Sequence, residues 1–197
     1  MKIAILGSGK GTNASSVIKS YRKGALGKIS TISLFSDNQF SGFLENAEMF
    51  DLSGTYIQSD INTPFIKGDY EKKWIRSIDT FKPDLIVLAG FMKILSSDFI
   101  SHYENRIINL HPSLLPSFKG LRAIEKAFQS GVKFTGCTVH WVDHSIDGGK
   151  IIDQIAVKIR NHETLESLRK RINAAEHFLL PKVIRDISNS VITLSHD

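Results

Sequence analysis

The sequence contains a single cysteine, Cys137, so it cannot form an internal disulfide. Chains without disulfides are typical of reducing compartments, and we therefore expect a cytoplasmic protein. No stretch approaches the ~18 consecutive apolar residues that a membrane span requires. The apolar run at residues 1–6 is also too short for a secretory signal, and it leads directly into a glycine-rich loop. These absences argue against an exported or membrane-bound protein.

Metal-ligand spacing is also missing, although the chain has seven histidines. His140 and His144 are four residues apart, but they fall on a predicted strand and the loop after it. The i, i+4 spacing that brings two ligands together on a helix therefore does not apply here. His162 and Glu163 lack the second histidine of the H-E-x-x-H zinc motif, and no G-x-S-x-G segment offers a serine nucleophile. We expect neither a metal centre nor an acyl-serine mechanism.

Positive residues exceed negative ones by 25 to 20, which gives a formal charge of +5. The lysines and arginines are nevertheless scattered along the chain. Their densest group, residues 169–171, lies on a predicted helix, and no platform that combines basic and aromatic side chains is visible. A surface that binds nucleic acid would show such clustering. The pattern therefore favours a small anionic ligand and predicts no nucleic-acid partner.

Apolar segments of strand length alternate with segments of helical periodicity along most of the chain. Strands are predicted at residues 2–6, 29–35, 54–57, 84–90 and 107–108, then in a hairpin at 134–142 and 151–159, and at an edge position at 191–194. Residues 59–68 are predicted as a surface loop, and a long helix at 164–187 should kink or break at Pro181. The predicted class is α/β, a Rossmann-like, mostly parallel twisted sheet flanked by helices, with a C-terminal antiparallel hairpin and a long helix.

A glycine-rich loop joins the first predicted strand to the first predicted helix, which we expect at residues 15–22. Its glycines stand at positions 7, 9 and 11, followed by Thr12 and Asn13. This spacing fits neither the G-x-G-x-x-G dinucleotide motif nor the Walker A loop. A strand, a glycine loop and a helix N terminus together point backbone N–H groups at a phosphate. We predict a monophosphate site here; the alternative is a turn in which glycine only saves space.

The most informative stretch, residues 109–116, follows a short apolar strand. Asn109 and His111 are two residues apart, so their side chains project from the same side of an extended backbone. An amide can stabilise an oxyanion, and an imidazole can move a proton. Asp147, on a glycine-flanked loop, is the natural carboxylate to orient His111 and raise its pKa. The alternative is an asparagine that caps a turn beside a satisfied loop histidine.

Three loops of the predicted sheet should meet. The loops after residues 6, 90 and 110 follow parallel strands, so we expect them at one edge of the sheet, where α/β proteins bind their ligands. Residues 91–95 carry much apolar surface and would suit the wall of a pocket for a flat aromatic ligand. The competing interpretation is that this apolar segment packs into the core.

Six segments, in the same order along the chain, resemble the folate-dependent formyltransferases. They are residues 8–13, 88–95, 109–116, 138–140, 146–149 and 176–177. The Asn-x-His-Pro-Ser-x-Leu-Pro segment with a later Asp-Gly is common to that family. The loop at 11–13 and the Asp-Gly-Gly at 147–149 resemble its phosphoribosylglycinamide formyltransferase branch. The resemblance implies one formyltransferase domain over 1–197, with a phosphate-binding half at 1–100 and a catalytic and folate-binding half at 101–190. It also predicts a cis peptide between Leu115 and Pro116.

The resemblance implies roles for individual residues. Asn109, His111 and Asp147 would be catalytic. The phosphate and amine of glycinamide ribonucleotide would be held by a second group: Gly11, Thr12, Asn13 and Glu176. The co-substrate, 10-formyltetrahydrofolate, would contact a third: Lys67, Met92, Lys93, Ile94, Leu95, Asp143, His144 and Ile146. Lys67 and Lys93 stand where the family often has arginine, and a lysine keeps the charge but loses the bidentate contact.

The function implied is transfer of a formyl group from the folate to glycinamide ribonucleotide in purine synthesis, by a metal-free monomer or homodimer. Alternatives are a different acceptor, such as an amino-sugar nucleotide or an initiator aminoacyl-tRNA, hydrolysis of formyltetrahydrofolate, and a nucleotide-binding domain without activity. The tRNA enzymes would add a large C-terminal domain and the hydrolases an N-terminal regulatory domain. In 197 residues we expect neither.

Overall fold

The computed structural model describes residues 1–193. Within them, nine strands form: β1 (Lys2–Leu6), β2 (Thr31–Ser36), β3 (Ser53–Tyr56), β4 (Phe65–Ile66), β5 (Leu85–Leu88), β6 (Ile94–Leu95), β7 (Ile107–His111), β8 (Phe134–Trp141) and β9 (Ile151–Lys158). The same residues form six helices: α1 (Thr12–Arg22), α2 (Gly42–Met49), α3 (Asp69–Phe81), α4 (Ser97–His102), α5 (Ala123–Gln129) and α6 (Leu165–Ser188).

Seven of the strands make one sheet in the order β3-β2-β1-β5-β7-β8-β9. The first five are parallel to one another, and β8 and β9 add an antiparallel hairpin at the β7 side. This is the predicted mostly parallel sheet with a C-terminal hairpin. The long C-terminal helix is also confirmed, since α6 runs for 24 residues.

Both faces of the sheet are covered, which explains why the central strands are apolar throughout. Successive side chains of a strand point to opposite faces. Accordingly, Ile3 and Ile5 of β1 join one core cluster with α1, α2 and α6, while Ala4 and Leu6 join another with α3 and α4. A strand buried on both faces reads as a continuous apolar run rather than an alternating one.

The helix α6 continues through Pro181, where the sequence predicts a kink or break. Proline removes one backbone hydrogen bond and costs about 3 kcal/mol in a helix interior. The neighbouring Leu179, Leu180, Val183 and Ile184 are completely buried, and burying each such side chain contributes roughly 1.5–3 kcal/mol. Packing of this stretch against the sheet therefore outweighs the lost hydrogen bond.

Other boundaries also differ from the predictions. The segment at 59–68 is not all loop, because β4 pairs with β6 in a second, two-stranded sheet. The first helix begins at Thr12, three residues earlier than its apolar periodicity indicates. Residues 191–193 do not form a strand, and Leu194 of the predicted edge strand lies outside the described residues. No helix in residues 1–193 is long and apolar enough to cross a bilayer.

The three loops expected at one edge do meet there. The β5 strand lies between β1 and β7, with Leu88 opposite Leu6 on one side and Asn109 on the other. The N–H of Ser8 donates to the carbonyl of Gly90 at 3.1 Å, and the N–H of Met92 donates to Oγ of Ser8 at 2.9 Å. The glycine loop and the loop after β5 are thus bound to each other beside the end of β7.

Candidate active site

Asn109 and His111 lie at the end of β7, and Asp147 reaches them from the loop between β8 and β9. The Nδ2 of Asn109 donates to Oδ1 of Asp147 at 3.3 Å, although the residues are 38 apart in the chain. The other carboxylate oxygen, Oδ2, lies 3.2 Å from Nδ1 of His111. It also accepts the backbone N–H of Gly120 at 2.8 Å. The three predicted catalytic side chains therefore form one contiguous cluster.

Two acceptors face the ring of His111, which is only 5% exposed. Asp147 faces Nδ1, and the carbonyl oxygen of Phe118 lies 2.9 Å from Nε2. Because neither acceptor can donate, both contacts are hydrogen bonds only when the two ring nitrogens are protonated. Burial nevertheless lowers the pKa of His111, and it outweighs the Phe118 carbonyl and Asp147, both of which raise it. The expected contact with Asp147 is present, but the expected net rise in pKa is wrong, because desolvation of the cation is the larger effect.

The carboxylate of Asp147 stays ionised despite its burial. Burial alone would raise its pKa, but His140, the N–H of Gly120 and His111 outweigh it and lower the pKa to about 2. A fixed negative charge therefore lies beside a neutral imidazole that can take up a proton. Once the ring is protonated, the Phe118 carbonyl and Asp147 accept both of its N–H groups. Such a ring is suited to accepting a proton and then giving it away.

The structure adds His140, which the sequence did not single out as a site residue. His140 pairs directly with Asn109 across the β7–β8 ladder and is 2% exposed. Its Nε2 lies 3.2 Å from Nδ2 of Asn109 and 3.7 Å from Oδ1 of Asp147. The sequence did contain a signal for this role, because Thr138 and His140 are two residues apart on the predicted strand and so point to the same face. The register that places that face against Asn109 comes only from the folded sheet.

Thr138 supports the turn that follows His111. Its Oγ1 donates to the carbonyl of Ser113 at 2.6 Å and accepts the N–H of Leu115 at 3.1 Å. The side chain of Gln154 donates to the same Oγ1 at 2.8 Å and to the carbonyl of Leu115 at 3.0 Å. The predicted cis peptide between Leu115 and Pro116 is confirmed in this turn.

The glycine loop places Gly11 at the N-cap of α1, in a left-handed conformation with φ of 73°. No side chain caps this helix, so the backbone N–H groups of its first turn, next to the exposed Thr12, have no side-chain acceptor. Gly11 is also needed for packing, since a Cβ there would lie 2.7 Å from Cα of Phe43. The two interpretations of this loop are therefore compatible: its glycines save space, and its helix end stays open to an anion.

Asn13 and Glu176 are brought together by the packing of α1 against α6. The Nδ2 of Asn13 donates to Oε2 of Glu176 at 3.2 Å. Burial raises the pKa of Glu176 to about 7, against a smaller lowering by the Asn13 amide. The Oδ1 of Asn13 is buried without a hydrogen-bond partner in the described part of the chain. A buried polar atom left without a partner is costly, so this pair has unused hydrogen-bonding capacity.

The residues predicted for the folate divide into two groups. Met92 and Ile146 expose apolar side chains, at 61% and 59%. The side chain of Lys93 instead binds the protein backbone: its Nζ donates to the carbonyls of Asp60 and Thr63 at 2.7 and 2.9 Å. Leu95 is 8% exposed and belongs to the core, as the packing interpretation of residues 91–95 predicts.

The remaining predicted folate residues lie at or near the surface. Lys67 and His144 are exposed, and Ile94 is half-buried in β6. Asp143 accepts the N–H and the hydroxyl of Ser145 and thereby shapes the loop that carries Asp147. In residues 1–193, no group of three or more His, Cys, Asp or Glu side chains is arranged to hold a metal ion.

Residues 1–184 match the family model described as formyl transferase. The chain is 37% identical to the trifunctional purine biosynthetic protein adenosine-3 of Gallus gallus, over 98% of this chain and 19% of that protein. It thus spans about a fifth of the length of the curated relatives it matches.

Similar proteins of known structure match this chain over most of their own length as well. A phosphoribosylglycinamide formyltransferase from Anaplasma phagocytophilum is 37% identical with a TM-score of 0.89, covering 100% of this chain and 90% of that one. The enzyme of the same description from Bacillus halodurans is 35% identical with a TM-score of 0.90, and each chain is covered completely. With this agreement in sequence and fold, the chain belongs to the formyl transferase family.

Proposed function

We propose that this protein transfers the formyl group of 10-formyltetrahydrofolate to the amine of glycinamide ribonucleotide, in the cytoplasmic synthesis of purines. The observation that carries the proposal is the contact of Asp147 with both Asn109 and His111 at the end of β7. An amide donor, an imidazole and a carboxylate suffice for acyl transfer between nitrogen atoms without a metal. The names of the Anaplasma and Bacillus relatives support this choice of acceptor.

The reaction follows from the charges of the site. The amine of the acceptor attacks the formyl carbon, and a C–N bond forms while the carbonyl oxygen becomes an oxyanion. An N–H of Asn109 stabilises this oxyanion. His111, neutral because it is buried, takes the proton that the amine loses through a water held by Asp147, since both ring nitrogens face protein acceptors. The imidazolium then returns that proton to the folate nitrogen as its C–N bond breaks, and formylated product and tetrahydrofolate leave.

The two substrates bind through different groups of residues and meet at this cluster. Gly11, Thr12 and Asn13 bind the phosphate of the acceptor at the open end of α1, and Glu176 lies near its amine. The folate ring lies against the exposed apolar side chains of Met92 and Ile146. We propose a monomer or homodimer that acts on small molecules, without a nucleic-acid or membrane partner.

Transfer to three acceptors tests this function in one experiment. Purified protein with 10-formyltetrahydrofolate should formylate glycinamide ribonucleotide much faster than an amino-sugar nucleotide, because the loop lacks the glycine pattern for a diphosphate. Release of free formate, which reports transfer to water, should be slower still. Product identity is read by mass spectrometry. Faster transfer to the sugar nucleotide, or formate as the main product, contradicts the proposal.

Replacing Asp147 by asparagine should lower kcat by roughly a hundredfold, the usual contribution of an acid–base group, and leave the binding of glycinamide ribonucleotide largely intact. Asparagine keeps the shape but removes the charge that raises the pKa of His111. The pKa of His111 therefore falls further, and the acidic limb of the pH–rate profile, where the neutral ring is lost, moves to lower pH. Unchanged kcat with an unchanged profile would remove Asp147 from the mechanism.

A further inference from the structure

The side chain of His140 is held between two groups that determine which of its nitrogens carries hydrogen. Its Nδ1 lies 2.7 Å from the carbonyl oxygen of Trp141. A carbonyl oxygen only accepts, so Nδ1 must be the protonated nitrogen of the neutral ring. In that neutral form Nε2 has a free lone pair; it lies 3.2 Å from the amide nitrogen of Asn109 and 3.7 Å from Oδ1 of Asp147, too far for a hydrogen bond to the carboxylate.

The Asn109 amide therefore has acceptors on two sides. Nε2 of His140 is one, and Oδ1 of Asp147, 3.3 Å away, is the other. An amide nitrogen has two hydrogens and can satisfy both, whereas the amide oxygen in that place would face two lone pairs. The orientation with Nδ2 toward His140 and Asp147 is thus strongly preferred over the flipped one.

We propose that His140 is a positioning residue that holds the Asn109 amide with its N–H groups on the side of His111 and Asp147. One N–H is anchored on His140. The other points at Asp147, where its long contact leaves it able to donate to the oxyanion that forms beside His111. Without the acceptor on His140, the amide loses one of its two restraints and can turn its oxygen toward the oxyanion, which repels it. The oxyanion role rests on the proposed function; the orientation itself does not.

The kinetic test compares two replacements of His140. Leucine removes the acceptor, whereas glutamine can place Oε1 near the position of Nε2. We expect His140→Leu to lower kcat roughly tenfold or more, since losing one oxyanion donor costs about 10²–10³, with KM for both substrates within about twofold. His140→Gln should restore much of the loss. The same replacements at His102, a half-exposed histidine on α4 that contacts Asp79, serve as matched controls and should leave kcat unchanged.

Coupling to Asn109 separates positioning from general damage to the fold. In an Asn109→Ala background, His140→Leu should change kcat by less than about twofold, because residues that act through one another are not additive. An equal loss of kcat in both backgrounds would mean that His140 supports only the fold, and would overturn the proposal.

Orientation can be measured without any activity, on the intact wild-type protein labelled with ¹⁵N. Long-range ¹H–¹⁵N correlation spectra should show His140 protonated at Nδ1 and unprotonated at Nε2, and the Asn109 side-chain resonances should shift in His140→Leu and far less in His140→Gln. A proton on Nε2 of His140 overturns the proposal even if formyl transfer is confirmed. Conversely, the expected tautomer in a protein that fails to formylate glycinamide ribonucleotide would uphold the orientation and reject the proposed function.

Discussion

Replacing His111 by alanine should lower kcat by roughly a hundredfold or more, since a positioned acid–base group contributes about 10²–10⁴. Alanine removes the imidazole that takes the proton from the amine and returns it to the folate, and the other imidazole near Asp147, that of His140, is held by Trp141 and Asn109. The KM values should change far less, because the proton moves only as the reaction proceeds. Single-turnover measurement of formyl transfer at saturating substrates isolates this step.

Stability must be measured alongside, because His111 is buried and hydrogen-bonded to Phe118. Its removal leaves the Phe118 carbonyl without that partner, and we expect the free energy of unfolding to fall by about 1–3 kcal/mol. Denaturant titration gives this value and fixes the folded fraction in the assay. His102→Ala, a histidine replacement away from the site, serves as the control. Turnover like that of the wild type in His111→Ala would show that another group carries the proton.

Removing the phosphate from the acceptor should have the second large effect. The dephosphorylated riboside of glycinamide keeps the reacting amine but loses the group proposed to bind at the open end of α1. We expect kcat/KM to fall by roughly a thousandfold, the equivalent of losing two charge-assisted hydrogen bonds at about 2 kcal/mol each. Binding energy from a part of the substrate remote from the reaction holds the amine against the formyl carbon.

The comparison needs only the wild-type protein and two acceptors, and inorganic phosphate supplies an independent control. If the α1 site binds a phosphate monoester, inorganic phosphate should compete with glycinamide ribonucleotide but not with the riboside. A riboside that reacts as well as the ribonucleotide would remove the loop at Gly11, Thr12 and Asn13 from substrate recognition.

Local sequence rules predicted much of the scaffold. Apolar runs without alternation indicated strands buried on both faces, and β1 and β5 are such strands. Serine is a favoured residue at a helix N-cap, and Ser96 caps α4 with its Oγ accepting the N–H of Phe99 at 3.1 Å. Strand periodicity alone placed Asn109 and His111 on one side of β7. These features depend on neighbours in the chain, which a sequence displays directly.

Long-range packing decided the rest. Whether Pro181 breaks α6 depends on how much apolar surface its neighbours bury against the sheet, and Lys93 points to the carbonyls of Asp60 and Thr63 only because β4 pairs with β6. His140 became part of the site through its register with Asn109.

The sequence by itself determined which side chains could do the chemistry: an amide and an imidazole two residues apart on a strand, and a carboxylate on a glycine-flanked loop. Only the tertiary structure decided how those groups are charged and oriented. The pKa of His111 falls because the fold buries its ring, and that of Asp147 falls because His140, Gly120 and His111 converge on it. Solvation and charge proximity are properties of the three-dimensional surroundings, so residue identity and spacing do not specify them.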